Sequence, residues 1–297
     1  MPRSRRTLET HAITMEYNIY KEVLQNDLLA ETLQVLDSCY RQLGAEVYVV
    51  GAAARDIALR LMGVTDTPRR TMDLDVAVLL QDWRQYERLK GILLQNHFEK
   101  AREKQRFYYL GKDGRIRFEV DIVPFGAIAE DDKVAWPPEG SPVMSVRCTK
   151  DVMRVADKVT VDGEFAFRLA SLSGQFLIKL DTWADRRMKT KKDAADMAFL
   201  LQNVYVAYAL KSGGLPPEVD INAEQFDVIV AGAEWMASDL RKMLTDEHRH
   251  FYTSMLRSEL DKNEESPLLN DLLDVSDSRY YYLFRRAIER MAQILES

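Results

Sequence analysis

Two aspartates separated by a single residue, Asp73 and Asp75, stand at the start of an apolar run that predicts a β-strand over residues 73–80. Because side chains alternate along a strand, both carboxylates leave the same face of the sheet, and the apolar residues between them enter the opposite layer. A second alternating run can place Asp121, and with it Glu119, beside the first pair. Carboxylates gathered on one face repel one another, and such a cluster persists mainly when Mg²⁺ or Mn²⁺ neutralises it. The spacing therefore predicts a divalent-metal site formed by Asp73, Asp75 and Asp121, and such metals usually handle phosphates.

Short strands and helices alternate around these acids. A buried β-branched strand at residues 46–51 ends in Gly51 and leads directly into a helix predicted over residues 52–62. The first turn of that helix carries Arg55, which could face a phosphate or pair with Asp56 on the helix surface. The other predicted elements of this region are a helix over the first 43 residues, a helix at 83–97, a hairpin of strands 106–110 and 116–125, a hairpin of strands 158–161 and 164–167, and a loop between the two hairpins.

The chain beyond residue 172 is predicted to be helical. A long helical stretch, residues 175–208, carries Lys179, Arg186 and Asp193, which are seven residues apart and so share one helical face. Strands and helices followed by a run of helices indicate an α+β fold, in which a mixed sheet with flanking helices precedes a C-terminal helical domain. The predicted division is an N-terminal helical segment at 1–43, a mixed-sheet domain at 44–172 and a helical domain at 173–297.

The composition is that of an ordinary globular protein. With 297 residues, of which 46% are hydrophobic and 30% charged, the chain can bury a full core. A net charge of −6 argues against a protein that holds nucleic acid over its whole surface, although a local basic groove is compatible with that total. Cys39 and Cys148 have no paired spacing, so neither a zinc site nor a disulfide framework is indicated. No apolar run approaches the roughly 20 residues that a bilayer requires, and no secretory signal follows the basic first residues, so we predict a cytoplasmic protein without a membrane partner.

Two sets of residues resemble a known family. Gly51-Ala52 with the helix behind them, Asp73-Leu74-Asp75 on the next strand and Asp121 on a later one are similar to the nucleotidyltransferase fold of the DNA polymerase beta superfamily. The run from Phe176 to Leu201, which contains Lys179, Arg186 and the element Lys192-Asp193-Ala194-Ala195-Asp196, resembles the AbiEii-type toxins of type IV toxin–antitoxin and phage-defence systems. The resemblance covers residues 46–201 and implies that the sheet domain is a nucleotidyltransferase domain.

The resemblance implies a role for each matching residue of the sheet domain. Asp73 and Asp75 would hold two Mg²⁺ ions that bridge an NTP, and Asp121 would bind one of them while it helps the attacking hydroxyl to lose its proton. Gly51 would let backbone N–H groups approach the phosphates at a helix N-terminus. The family usually has Ser or Gly where this chain has Ala52, so a hydroxyl contact to phosphate would be missing here.

The helical domain would add cationic groups to the same chemistry. By resemblance, Lys179, Arg186 and Lys192 would lie along the triphosphate and stabilise charge on the leaving pyrophosphate. Asp193 matches an aspartate that these toxins use in addition to the sheet carboxylates. The basic run at 186–192 favours an anionic ligand, because like charges this dense are unfavourable in an isolated helix, but such a run is also common on solvated helix faces.

The activity implied by the resemblance is a Mg²⁺-dependent transfer of an NMP from an NTP to an acceptor hydroxyl, with release of pyrophosphate. The acceptor would be RNA, with the 3′ end of tRNA as the leading choice, and the protein would be a toxin with a cognate antitoxin as its partner. Two alternatives stay open. The acceptor could be a small molecule, as in antibiotic-modifying nucleotidyltransferases, or the chain could be a catalytically weak protein that binds nucleotide or a partner.

Overall fold

The computed structural model of the 297-residue chain describes residues 14–64, 73–112, 114, 116–211, 214–276 and 278–297. These residues form two compact units. The first takes in the described residues up to Arg60 and those from Asp73 to Ser171, and the second comprises Leu61–Val64 and Leu172–Ser297. The division into domains at 1–43, 44–172 and 173–297 stays a prediction. Within the described ranges, every helix is too short or too polar to cross a bilayer.

The first unit is built on a mixed β-sheet. The strands in the described residues are β1 (Glu16–Ile19), β2 (Tyr48–Val50), β3 (Asp73–Leu79), β4 (Phe98–Lys100), β5 (Arg106–Tyr109), β6 (Phe118–Phe125), β7 (Lys133–Ala135), β8 (Val143–Ser145), β9 (Asp157–Val161) and β10 (Phe165–Leu169). Eight of them form one sheet in the order β1-β9-β10-β2-β3-β6-β5-β4, and β7 pairs with β8 in a separate ladder. The pairs β1 with β9, β10 with β2 and β3 with β6 are parallel, whereas the remaining pairs are antiparallel. The strands β3 and β6 are therefore interior strands of the sheet, each paired on both sides.

Four α-helices accompany this sheet among the described residues. They are α1 (Asp27–Leu43), α2 (Gly51–Leu61), α3 (Trp83–Gln95) and the short α4 (Thr149–Arg154). Helix α1 starts because the side chain of Asn26 accepts the N–H groups of Leu28 and Leu29, both at 3.1 Å, and it ends at Gly44 in the left-handed conformation. It packs on α3 and β10, and its Glu31 accepts the hydroxyl of Tyr109 at 2.6 Å. Helix α1 thus lies on the face of the sheet to which Tyr109 points.

The second unit is helical in all its described elements. Its helices are α5 (Leu172–Arg186), α6 (Lys192–Lys211), α7 (Val228–Met243), α8 (Asp246–Asp261), α9 (Pro267–Asp274) and α10 (Tyr281–Glu296). Helix α7 packs on α6 and α10, and α10 also packs on α8. The ring of Trp235 on α7 lies 5.2 Å from that of Tyr208 on α6, measured between centroids. The predicted α+β architecture, a mixed sheet with flanking helices followed by helices, is confirmed.

Two predictions about the first unit were wrong. Residues 16–19, predicted as helix, form β1, because Tyr17 and Ile19 alternate into the core and the backbone pairs in parallel with β9. Residues 1–13 of the predicted N-terminal helix lie outside the described residues. The segment between the two hairpins, predicted as a loop, contains the β7–β8 ladder and α4.

The predicted helix over residues 175–208 is in fact two helices, α5 and α6. Helix α5 ends at Arg186, and α6 begins at Lys192, whose N–H is accepted by the hydroxyl of Thr190 at 3.2 Å. A threonine that accepts an N–H two residues later offers the backbone an alternative to a continuous helix. As a result, Arg186 and Asp193 stand on different helices.

Candidate functional site

Four carboxylates share one face of the central strands β3 and β6. The strands are parallel, and their register pairs Asp75 with Asp121 and Asp73 with Glu119. Because directly paired residues of neighbouring strands point to the same side of a sheet, these four side chains form one acidic face. The opposite side of the two strands is apolar and 0% exposed at Leu74, Val76, Val120 and Ile122. The shared face that the alternation predicted is therefore present.

The members of the acidic face act on one another electrostatically. Burial raises the pKa of Glu119 above its ordinary value, the guanidinium of Arg106 opposes that rise, and the charges of Asp121 and Asp73 add to it. Asp73 is exposed, whereas Asp75 and Asp121 are half-buried. Like charges in a partly desolvated place disfavour ionisation unless a cation is near. The face is therefore a place where cations are favoured.

Asp75 also lies against the first residue of helix α2. Its strand neighbour on β2 is Val50, the residue that precedes Gly51. Gly51 has a φ of 71°, and a Cβ atom placed on it would lie 2.2 Å from Oδ2 of Asp75. A helix N-terminus presents unpaired N–H groups and the positive end of the helix dipole, so it stabilises a carboxylate. Both the backbone conformation and the space at position 51 therefore require glycine.

Arg106 on β5 contacts the acidic face from the strand next to β6, on the side away from β3. It pairs with Asp121 in the antiparallel ladder between β5 and β6. Its Nε donates to Oδ1 of Asp121 at 2.8 Å, and its Nη2 donates to Oδ2 at 3.0 Å. The same Nη2 lies 2.7 Å from Oε1 of Glu119. The hydrogen bonds to Asp121 raise the pKa of Arg106 above its ordinary value, so this cation is permanent.

The predicted metal site of three aspartates is not assembled in this arrangement. Within the described ranges, no group of three or more Asp, Glu, His or Cys side chains could hold a metal ion. Arg106 gives a physical reason, because it bonds both carboxylate oxygens of Asp121. Asp73 and Asp75 are two hard oxygen donors on one strand, on a face that solvent reaches at Asp73.

Lys100 holds the turn that leads into β5. Its Nζ donates to the backbone carbonyls of Glu103 at 2.6 Å, Lys104 at 2.7 Å and Arg106 at 3.0 Å. The same atom lies 4.6 Å from the ring centroid of Phe107. Burial lowers the pKa of Lys100 to about 8. The backbone at Arg106 is thus held by a side chain outside its own strand.

The first turn of α2 places Arg55 against Asp56. The Nε and Nη2 atoms of Arg55 lie 3.0 and 2.9 Å from Oδ1 of Asp56. The two residues are 8% and 2% exposed, so the pair is buried and not on the helix surface as predicted. Ala52 ends in a methyl group, which has no hydrogen to donate to a phosphate. Phosphate binding by Arg55 and Ala52 stays a prediction.

In the second unit, two helices bring Lys179, Arg186 and Asp193 together. Arg186 donates from Nε and Nη2 to the two oxygens of Asp193 at 2.7 and 2.9 Å. Lys179 lies 3.5 Å from Asp193 and 2.7 Å from Asp196. Asp193 is 0% exposed and is therefore an ion-pair partner in the interior of this unit. The prediction of one continuous helical face was wrong, although the three residues do lie together.

The basic run at 186–192 has acidic partners inside the chain. Lys191 donates to Asp271, and that hydrogen bond is the first cause of a raised pKa of Lys191. Asp271 also accepts Nε1 of Trp183 at 2.8 Å, so this 3%-exposed ring is a packing residue. Lys192, at the start of α6, is exposed. Part of the charge repulsion within the run is thus offset without an external anion. The aspartate responsible, Asp271, lies 80 residues away from Lys191 in the sequence, so a local sequence pattern does not indicate the pair.

Arg106 was missed among the predicted site residues, although the sequence contains a signal for it. The predicted hairpin of strands 106–110 and 116–125 is present as β5 and β6. Alternation along both strands places Arg106 on the same side as Glu119 and Asp121. A cation opposite two acids is a favourable cross-strand arrangement. The hairpin pattern could therefore have assigned Arg106 to the acidic face before the structure did.

Comparisons with known proteins add little to this geometry. No family model matches the chain, and no curated protein matches it. Among solved structures, it is similar to the Thermotoga maritima CCA-adding enzyme complexed with tRNA-CCA, with 12% identity, a TM-score of 0.31, and coverage of 91% of this chain and 72% of that chain. A CCA-adding enzyme in complex with ATP gives 12% identity, a TM-score of 0.30 and the same coverage, 91% and 72%. Likeness at this level assigns neither a family nor an activity, so function must be argued from the side chains.

Proposed function

We propose that this protein is a Mg²⁺-dependent nucleotidyltransferase, which moves an NMP from an NTP to an acceptor hydroxyl and releases pyrophosphate. One observation carries the proposal. The carboxylate of Asp75 lies against Gly51 at the N-terminus of α2, while Asp73 and Asp121 lie beside it on the acidic face. The N-terminus of α2, which can attract an anion, and three strand carboxylates therefore meet at one point.

This meeting point is suited to a triphosphate that carries a metal ion. The N–H groups and dipole at the start of α2 favour a phosphate there. A phosphate in that place would face the carboxylate of Asp75, and the two anions repel unless a divalent cation lies between them. Gly51 lets the phosphate approach the backbone because it has no side chain. Bound Mg²⁺ would supply neutralisation of charge on the phosphates and on the leaving pyrophosphate.

The three aspartates fit this chemistry unequally. Asp73 and Asp75 fit as the pair that holds the cation, because both are hard oxygen donors on one face of one strand. Asp121 does not fit as a ligand while Arg106 bonds both of its oxygens. We therefore assign Asp121 two roles after Arg106 has moved: it would complete the cation site with Asp73 and Asp75, and its carboxylate would orient the acceptor hydroxyl and take its proton.

The residues of the second unit differ in their exposure and therefore in the roles that we propose for them. Arg186 keeps 47% of its side chain exposed and Lys192 is exposed, so both have solvent access for an anion. Lys179 is 16% exposed and pairs with Asp196. Asp193 is assigned to holding Arg186 and not to the chemical step. Phosphate contact by these cations stays a prediction from the sequence.

The finer parts of the proposal concern the acceptor and the biological setting. We propose an RNA acceptor, with the 3′ end of tRNA as first choice, and a toxin role with a cognate antitoxin. The support is the resemblance of residues 176–201 to AbiEii-type toxins. Incubation of the purified chain with each α-labelled NTP in turn and total RNA tests the acceptor, because labelled RNA resolved by size shows whether tRNA is modified.

The test of the activity is a pair of charge-matched variants. Asp75→Asn removes one carboxylate of the acidic face with little change of shape, and Asp162→Asn makes the same chemical change at an exposed turn between β9 and β10. We expect Asp75→Asn to abolish labelling by NTP and Asp162→Asn to retain it. Equal labelling by both variants and the unmodified protein would place the chemistry somewhere other than at Asp75.

A second candidate function is favoured by one observation. Because Arg106 bonds both oxygens of Asp121, the third carboxylate is engaged, as expected of a protein that binds nucleotide without transferring it. Calorimetry with MgATP separates the two functions. Binding without release of pyrophosphate in the presence of total RNA or of small hydroxyl acceptors supports the binding function, and pyrophosphate release supports the transferase.

A further inference from the structure

Arg106 and a divalent cation compete for the same carboxylate. Arg106 forms two hydrogen bonds with Asp121, one to each oxygen, in the two-pronged geometry that is strongest between guanidinium and carboxylate. The two side chains are 26% and 20% exposed, so water screens them only in part. A cation on Asp121 would lie beside the fixed positive charge of Arg106 and would be repelled by it. The two cations therefore cannot both bind Asp121 favourably.

We propose that Arg106 is an internal counter-ion that keeps Asp121 closed to metal, and that Asp121 opens when the guanidinium moves over to Glu119. The proposal rests on the proposed function, because it concerns the same acidic face. It states how that face is regulated: the concentration of divalent cation needed to fill the site is set by the strength of the Arg106–Asp121 pair.

Glu119 gives the guanidinium a place to go. The same Nη2 atom that donates to Asp121 at 3.0 Å already lies 2.7 Å from Oε1 of Glu119. Arg106 can therefore release Asp121 without losing its ionic partner, so the movement does not leave a partly buried cation unpaired. Glu119 is 30% exposed and lies two residues before Asp121 on the same face of β6. Because Nη2 already contacts both carboxylates, the guanidinium can exchange one acceptor for the other without leaving the acidic face.

The movement is confined to the side chain of Arg106. Its backbone carbonyl accepts Nζ of Lys100 at 3.0 Å, and its strand is paired with β6 on one side and β4 on the other. The side chain of Arg106 therefore has two states, one bonded to Asp121 and one bonded to Glu119. A divalent cation that binds Asp121 prefers the second state and shifts the population towards it.

Binding of Mn²⁺ to the nucleotide-free protein tests the proposal without any measurement of activity. Electron paramagnetic resonance of free Mn²⁺ gives the dissociation constant for the unmodified protein and for Arg106→Gln, Arg106→Lys and Arg117→Gln. Arg117 is the matched control, because it lies near the same strands, is 59% exposed, and pairs with Glu99 at 3.3 Å instead of with the acidic face. Thermal unfolding of each variant establishes that it is folded.

We expect Arg106→Gln to bind Mn²⁺ about tenfold more tightly, within the usual range of coupling between two sites. Arg106→Lys keeps the charge, loses the two-pronged contact and should fall between the two, while Arg117→Gln should equal the unmodified protein. Unchanged or weaker Mn²⁺ binding by Arg106→Gln overturns the proposal, because an arginine that only positions Asp121 would weaken binding on removal.

A double-mutant cycle assigns the part of Glu119. Glu119→Gln alone should weaken Mn²⁺ binding several-fold, and it should weaken binding clearly less when Arg106→Gln is already present, because only the lost charge of the acidic face then acts. If Glu119→Gln weakens binding equally in both backgrounds, Glu119 acts on the metal directly, through its charge or as a ligand, and the exchange is refuted. The proposed function can fail independently of this proposal. If Mn²⁺ binding responds to Arg106→Gln as expected but no nucleotidyl transfer is detected, the role of Arg106 as counter-ion is supported and the transferase activity is refuted.

Discussion

Replacing Gly51 with alanine tests the contact between Asp75 and the start of α2. The new Cβ would lie 2.2 Å from Oδ2 of Asp75, whereas real contacts of this kind lie beyond 3.0 Å and ordinary contact begins at 3.4 Å, so the carboxylate must move by about 1 Å. Alanine must also adopt a φ of 71°, and this left-handed conformation costs an L-residue about 1–2 kcal/mol. Displacement of a positioned group by ~1 Å can cost about 100-fold in rate. We expect Gly51→Ala to lose about 1–2 kcal/mol of unfolding free energy from the backbone and about 100-fold in nucleotidyl transfer.

Gly44→Ala is the matched control for this variant. Gly44 has a φ of 72°, and an added Cβ would meet nothing within 4 Å. The control therefore carries the same backbone cost without moving a carboxylate. Urea unfolding measures the first effect, and Mn²⁺ binding with labelled NMP transfer measures the second. If both variants lose similar stability and Gly51→Ala still binds Mn²⁺ and transfers NMP like Gly44→Ala, then the placement of Asp75 against α2 does not matter to the chemistry.

Three further predictions concern an ion pair, a buried hydrogen bond and a half-buried amine. Asp193→Ala removes the two hydrogen bonds from Arg186 and should lower the unfolding free energy of the second unit by about 1–3 kcal/mol; an unchanged urea midpoint would contradict the interior ion pair. Trp183→Phe keeps an aromatic ring but deletes the Nε1–H bond to Asp271, which should cost about 1 kcal/mol by the same measurement, and no loss would show that this bond is dispensable. Burial lowers the pKa of Lys100 from 10.5 to about 8, so between these pH values the unfolded chain binds a proton that the folded chain does not, and stability should rise with pH. Lys100→Met should remove that rise in urea unfolding followed from pH 8 to 10.5, and an equal slope in both proteins would refute the assignment.

The placement of the acidic face could be predicted because the sequence pattern of β3 allows only one orientation of the strand. Leu74 and Val76 must be buried, and a strand turned by one residue would bury Asp73 and Asp75 in their place. Helix α2 was predictable for a similar reason, since a β-branched strand followed by glycine and alanines has few alternatives. The strand at Glu16–Ile19 was not, because only four residues carry its signal and its pairing partner β9 lies far along the chain.

The partners of the charged residues depend on tertiary contacts, which local patterns do not contain. The run at 186–192 left an external anion and a solvated helix face as alternatives, and neither includes Asp271, which approaches Lys191 from a distant helix. The break between α5 and α6 escaped detection because apolar residues continue at helical spacing on both sides of it. Arg106 was predictable only in part. Strand alternation indicates the face of the sheet on which it lies, but not that its guanidinium bonds Asp121 instead of facing solvent.

The burial of both cysteines, Cys39 and Cys148, has a practical use. A thiol introduced by Glu16→Cys would be exposed on β1, and a maleimide label would find it in preference to the native thiols. In the sheet, β1 is separated from β3 by three strands, or four spacings, which amounts to about 19 Å. A nitroxide or fluorophore at residue 16 would therefore report, in solution and without catalysis, where a paramagnetic ion settles relative to the sheet edge.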